Sequence, residues 1–139
     1  MNLFSTKCRE NYDPSSFITV DEQLVTFRGR CPFKMFIPSK PGKYGMKVWM
    51  LCDAESSYCI NLQPYIGRTM GVRDVGQGTR VVLELTDHIT GSGRHITGDN
   101  FFTNITLLRS LLGRRMTYTG TLRKNKGEVS SQRKTSPAF

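Results

Sequence analysis

Three aspartates stand inside or at the end of apolar, β-branched runs, and they are the residues whose type and placement could do chemistry. Asp21 lies within F-I-T-V-D-E-Q-L-V-T-F, Asp53 closes M-K-V-W-M-L-C-D, and Asp99 closes R-H-I-T-G-D before N-F-F-T-N. Carboxylates are hard oxygen donors, and two that converge on one point suit a divalent cation such as Mg²⁺. A carboxylate inside an apolar strand needs a reason, because burying it unpaired is costly. Period-2 alternation sends Asp21 and Glu22 to opposite faces, so a simple outward orientation of both requires two exposed faces or a bend. Asp99 with Asn100 has the composition of an ordinary turn pair. It also lies at the carboxyl end of a strand with a helix beyond, where open α/β sheets place their ligands. Spacing alone does not choose between Asp53 and Asp99, although Asp-Ala-Glu-Ser-Ser favours turn capping for Asp53.

The elements that must position these residues follow from hydrophobic period and turn chemistry. Residues 1–12 have the look of a helix end, stopped by Asp13-Pro14-Ser15-Ser16. Residues 17–27 read as a strand. The segment 28–45 is rich in Pro and Gly, with K-M-F-I-P as a short edge strand at most. Strands follow at 46–53 and 58–65, joined by A-E-S-S as a hairpin. The Gly-rich stretch 67–78 lacks a phosphate-cradling spacing. Val81, Val82, Leu85 and His88 fall at helical spacing, closed by Thr90-Gly91-Ser92-Gly93, with His88 expected at the helix's negative end. A strand carrying His95 precedes Asp99. Thr103 or Asn104 can then cap a helix through Ile105, Leu107, Leu108, Leu111 and Leu112 that ends at Gly113. Residues 116–122 form the last strand. Three hairpin-connected strands followed by β-α-β-α-β crossovers make an α/β fold with a mixed five-stranded sheet and flanking helices, the element order of a ribonuclease-H-like domain. In such a sheet the first and fourth strands are central neighbours, which brings Asp21 and Asp99 together.

The 139 residues suffice for one domain. Residues 1–126 are assigned to it, and 127–139 form a polar tail expected to lack fixed structure. No run approaches the ~18 apolar residues of a membrane span, and the N-terminus lacks a signal-peptide core. Twenty Lys and Arg against eleven Asp and Glu give a formal charge of +9, for which a polyanion such as DNA is the natural partner. The excess is clustered. Arg28, Arg30, Lys34, Lys40, Lys43 and Lys47 occur with no intervening acid, and Arg123, Lys124 and Lys126 follow the last strand. Tyr44, between Lys43 and Lys47, can stack on a base or cover the core edge. Cys8, Cys31, Cys52 and Cys59 form no C-x-x-C or Cys/His zinc pattern and read as reduced packing thiols.

T-V-D-E-Q-L-V-T-F-R-G-R-C-P-F-K-M-F-I-P-S-K-P-G-K-Y-G-M-K-V-W-M-L-C-D, I-T-G-D-N-F-F-T-N and Y-T-G-T-L-R-K-N-K together resemble the catalytic domain of piggyBac-type transposases over roughly residues 4–126. The resemblance implies a DDE/D transposase that cuts and pastes DNA at TTAA sites in the nucleus, with a homodimer in the full-length family, using Mg²⁺ or Mn²⁺. It places the first two catalytic, metal-binding aspartates on Asp21 and Asp99. It puts Arg28, Arg30, Lys34, Lys40 and Lys43 in the family's basic segment, where DNA contact is expected, and Tyr44, Arg123, Lys124 and Lys126 join them as DNA-binding candidates. The family's third acidic position lies beyond the Arg-Lys-Asn-Lys block. The chain is therefore expected to be a fragment of that domain, truncated at the C-terminus, and inactive alone. A non-catalytic DNA-binding or interaction module is the alternative.

Overall fold

The computed structural model describes residues 3–67 and 75–127. Most of the Gly-rich segment 67–78 and all but the first residue of the tail 127–139 lie outside the described residues. The elements are α1 (Leu3–Glu10), β1 (Phe17–Thr26), β2 (Met35–Phe36), β3 (Tyr44–Asp53), β4 (Cys59–Pro64), α2 (Gln77–Leu85), β5 (His95–Gly98), α3 (Ile105–Gly113) and β6 (Thr117–Gly120).

The sheet runs β2-β3-β1-β5-β6, with β4 also paired to β3. β1 is antiparallel to β3 and parallel to β5, and β5 is parallel to β6. This is the ribonuclease-H-like arrangement, with the first and fourth long strands adjacent at the centre. The sheet has six strands where five were expected. The reason lies in β3, which begins at Tyr44 rather than Met46. Its partner β4 reaches only Val48, so the start of β3 keeps an open edge, and Met35 and Phe36 pair with Gly45 and Tyr44 there.

Strand alternation divides the sheet into two faces. Ile18, Val20, Trp49, Leu51 and Ile96 form the dry face and pack against Val81, Val82 and Leu85 of α2, Leu107 and Leu111 of α3, and Phe102. The other face carries Phe17, Thr19, Asp21, Gln23, Thr97 and Thr119, which are exposed or half-buried. At the β4 edge, Ser5 of α1 donates to the Leu62 carbonyl at 3.3 Å, and Tyr12 stacks on Tyr58 with ring centroids 4.1 Å apart.

The end of α2 departs from the sequence expectation, and that of α3 agrees with it. α2 stops at Leu85, and residues 87–89 form a 3₁₀ turn, so His88 lies beyond the helix. At the break, the buried Thr86 donates its hydroxyl to the Val82 carbonyl at 2.7 Å. α3 runs through Gly113, and the left-handed residue that ends it is Arg115, at φ 58°. Met116 N–H bonds the Leu111 carbonyl and Arg115 N–H the Leu112 carbonyl, both at 2.9 Å, the paired bonds of a Schellman end. Met116 and Leu111 are both buried, and the site of the turn follows from their burial.

Ile96 is fully buried on the central strand β5. Ile96→Ala is expected to lower unfolding free energy by about 2–5 kcal/mol, read from urea midpoints. A loss below 1 kcal/mol would contradict the central placement of β5.

Candidate functional site

The β1–β5 register decides where the aspartates stand. Phe17, Ile18, Thr19 and Val20 pair with His95, Ile96, Thr97 and Gly98. The next step in the same register sets Asp21 beside Asp99, on strands about 4.8 Å apart. Both are exposed, and both belong to the face opposite the core. Asp21 Oδ1 accepts the Glu22 N–H at 2.8 Å. Asp99 Oδ1 accepts the Phe101 N–H at 2.9 Å, an Asx turn. The Oδ2 atom of each accepts no hydrogen bond among the described residues. Asp21 also borders a hollow of about 370 Å³ with Thr19, Gln23, Met50 and Cys52. A larger hollow of about 1010 Å³, between α2 and α3, contains neither aspartate.

The backbone at Asp99 is held from below. Its carbonyl accepts the Thr103 hydroxyl at 2.7 Å and the Thr103 N–H at 3.2 Å. The Tyr118 hydroxyl lies 2.9 Å from Thr103 Oγ1. The Thr103 proton goes to the carbonyl, so Tyr118 is the donor in that pair. Burial raises the Tyr118 phenol above its ordinary pKa, which keeps that donor protonated. Gly98 and Gly120 face each other across β5 and β6 and leave room for this ring. A Cβ on Gly98 would lie 2.4 Å from the Tyr118 oxygen, and one on Gly120 would strike the Thr103 hydroxyl. Asn104 supplies the helix cap, its Oδ1 accepting from Leu107 N at 2.8 Å. Thr103, the other candidate cap, is the residue that holds Asp99. Phe102 is fully buried, while Phe101 is partly exposed under the ammonium of Lys47, 5.0 Å from its ring centroid.

The basic candidates fall into two groups. Arg28, Arg30, Lys43 and Lys124 are exposed, and their side chains make no hydrogen bond or ion pair among the described residues. The others have internal partners. Lys34 donates to the Gly29 carbonyl at 3.1 Å. Lys40 sits 3.8 Å from the Glu22 carboxylate, which explains how β1 accommodates two adjacent acids: Asp21 faces solvent and Glu22 has a cation. Arg123 donates to Asn100 Oδ1 at 2.9 Å. Lys126 donates to the Thr103 carbonyl, so the Arg-Lys-Asn-Lys block folds back onto the Asp99 loop. Tyr44 packs on Phe36, centroids 4.8 Å apart. His95 bonds Thr117 Oγ1 at 2.7 Å through Nδ1, at the opposite end of β5 from Asp99.

Asp53 belongs to the turn. It is 1% exposed and accepts five donors: Ser15 N–H at 2.6 Å, Ser15 hydroxyl at 3.1 Å, Tyr12 hydroxyl at 3.1 Å, Glu55 N–H at 2.8 Å and Ser56 N–H at 3.2 Å. The Ser15 N–H bond is the largest influence holding its carboxyl well below the usual carboxylate range. Arg94 completes this corner, donating to the Pro14 carbonyl at 2.8 Å and to Asp13 Oδ1 at 2.9 Å. The sequence pointed to Asp53 as a cap. It did not reveal Ser15 and Tyr12 as its partners, nor Arg94 as the cation that braces Asp13, Pro14 and Ser15, since these roles depend on contacts distant in the chain.

A ribonuclease-H-like sheet with one aspartate on the first strand and another at the end of the fourth is the framework of a transposase catalytic domain. The family model described as Transposase IS4 matches residues 1–137, and the chain belongs to that family. Its relatives are of the piggyBac type. It is 33% identical over 131 residues to human piggyBac transposable element-derived protein 3, covering 90% of this chain and 22% of that protein. The human chimeric ERCC6-PGBD3 protein matches at the same identity, with 12% of its length covered. A cryo-EM structure of the piggyBac transposase synaptic complex with hairpin DNA superposes with a TM-score of 0.84 at 46% identity, over 99% of this chain and 29% of that one. The chain thus spans about a fifth of the first curated relative and under a third of the solved structure.

The Asp53 clamp has a pH dependence of known sign. A carboxyl whose folded pKa lies below its unfolded value, near 3.8, stabilises the fold above that value and loses the contribution as pH falls through the folded one. Asp53→Asn is expected to lower the urea midpoint at neutral pH, with the gap to the parent protein narrowing progressively below about pH 4. A gap that stays constant into strong acid would show that Asp53 contributes nothing through its charge.

Proposed function

We propose that Asp21 and Asp99 are two of the carboxylates that bind a divalent cation, Mg²⁺ or Mn²⁺, in a DDE-type transposase domain whose substrate is DNA. The observation that supports this is the β1–β5 register, which sets both on one open face with an oxygen of each uncommitted. The donor set fits the ion: two exposed carboxylates are hard oxygen ligands. Among the described residues no third His, Cys, Asp or Glu joins them, so the rest of an octahedral shell belongs to other oxygens. A cation held there supplies Lewis-acid activation of a phosphodiester and of the attacking hydroxyl. Asp21 and Asp99 fix its position, and Thr103 with Tyr118 fixes the backbone of Asp99. Arg28, Arg30, Lys34, Lys40, Lys43, Arg123, Lys124 and Lys126 face phosphates, with Tyr44 as a stacking surface. The structural neighbour is a transposase bound to hairpin DNA, which supports DNA as the partner. Transposon ends, TTAA targets, a homodimer and a nuclear setting complete the proposal by family resemblance. No helix among the described residues is long and apolar enough to cross a membrane.

The second reading keeps the fold and basic surface as a non-catalytic DNA-binding module, favoured by Arg28, Arg30, Lys43 and Lys124, exposed candidates whose side chains have no internal partner among the described residues. Calorimetric titration with Mn²⁺ separates the two. Asp21→Asn or Asp99→Asn is expected to weaken binding at least tenfold, about 1.4 kcal/mol, and binding unaffected by both sinks the metal-site reading. Log DNA affinity is expected to fall linearly with log salt, with Arg28→Ala and Arg30→Ala each reducing the slope by about 1. Salt-dependent DNA affinity without Mn²⁺ binding supports the module.

A further inference from the structure

Cys52 and Cys59 are paired across β3 and β4, and the Cys59 thiol donates to the Asn61 carbonyl at 3.5 Å. The local backbone makes this an unusual pair. Asp53 N–H bonds the Tyr58 carbonyl and Ser57 N–H bonds the Asp53 carbonyl, both at 2.9 Å, with Ser57 left-handed at φ 62°. That is a bulged hairpin end in which Asp53 and Tyr58 occupy the hydrogen-bonded position. The next pair, Cys52 and Cys59, is therefore non-hydrogen-bonded, where opposed Cα atoms approach to about 4.5 Å, inside the roughly 4.4–6.8 Å span of disulfides. On the far side the register shifts between Leu51 and Cys52, and Ile60 is the extra residue. The two cysteines are thus bracketed by irregularities that bring their side chains together. Neither is fully buried, and Cys52 lines the hollow beside Asp21, so a small solute reaches it.

We propose that Cys52 and Cys59 are a reversible dithiol–disulfide site, oxidised by hydrogen peroxide, that staples the β3–β4 hairpin next to Asp21. The Cys52 sulfur attacks a peroxide oxygen, the O–O bond breaks, and a sulfenic acid and one water result. The Cys59 sulfur then attacks the sulfenic sulfur, the S–O bond breaks, and the departing hydroxide takes the Cys59 proton as a second water. Two thiols lose two electrons and two protons, and one peroxide becomes two waters. Cys8 is the competing partner, since α1 packs on the same edge and its Cys8 carbonyl accepts the Tyr58 hydroxyl at 3.3 Å.

The test treats the purified chain with hydrogen peroxide, quenches with catalase, blocks remaining thiols with a maleimide and maps peptides without reduction. Residues 48–68 contain both cysteines and no internal Lys or Arg, so they leave trypsin as one peptide. The expected result is loss of two of the four thiols, with that peptide lighter by two hydrogens. Cleavage after Glu55 leaves its halves joined, and dithiothreitol restores both thiols. In Cys59→Ser the link is absent and dimedone traps a sulfenic acid at Cys52. A Cys8–Cys59 link, over-oxidation of Cys52 and Cys59 without linkage, or a pair still fully alkylated after Cys31 has oxidised would each overturn the proposal.

Discussion

The parallel pairing of β1 with β5 is fixed by which face of each strand must be dry. Ile18, Val20 and Ile96 are buried to within 2%, and each contributes about 1.5–3 kcal/mol by leaving water. A slip of one residue would turn Ile96 to the open face and Asp99 toward the core, exchanging that gain for an unpaired buried charge. Two exposed carboxylates repel by only about 1 kcal/mol at 4 Å in water. Burial therefore overrides repulsion, and the core on one face dictates the juxtaposition of two like charges on the other.

Holding two carboxylates together without neutralising them requires that their backbones be fixed while their side chains stay open. Asp99 meets this condition through its carbonyl, which Thr103 anchors and Tyr118 backs, and Gly98 and Gly120 make room for the anchor. The T-G-D and Y-T-G blocks are in this sense one feature: the glycines of neighbouring strands form the slot, and the tyrosine and threonine fill it. Asp53 shows the contrasting solution. Five donors enclose its carboxylate, leaving no lone pair open for an ion, so a third acid at a strand end becomes a corner clamp.

Much of this was legible in the residues, for physical reasons. Alternation and element order placed Asp21 and Asp99 on adjacent strands, because strand period and crossover rules act locally and do not need the partner strand. Asp-Ala-Glu-Ser-Ser announced a turn because Asp side chains bond backbone two and three residues on. The end of α3 at Gly113 was legible, but the left-handed residue beyond it was not, because glycine is the default for that conformation. Arg115 takes that role because Met116 must reach Leu111 in the core, a tertiary demand invisible to a local rule. β2 was legible only as a possible edge, since two residues pair wherever a neighbouring strand leaves its edge open. Charge was legible as a sum and a cluster, but not as a set of partners: Lys40 goes to Glu22 and Lys126 to the Thr103 carbonyl.

The remaining constraint is directional. β1, β5 and β6 are mutually parallel, so whatever follows them in sequence emerges at the same end of the sheet. Arg28 and Arg30 follow β1, Asp99 follows β5, and Arg123, Lys124 and Lys126 follow β6. Chain direction alone thus puts both basic runs toward the end of the sheet at which Asp99 lies, without any basic residue needing to contact either aspartate. Such an arrangement leaves the carboxylates unpaired while raising the positive potential at that end. The internally bonded members, Lys34, Lys40, Arg123 and Lys126, hold the loops that carry the others. The exposed ones, Arg28, Arg30, Lys43 and Lys124, have side chains with no internal partner among the described residues.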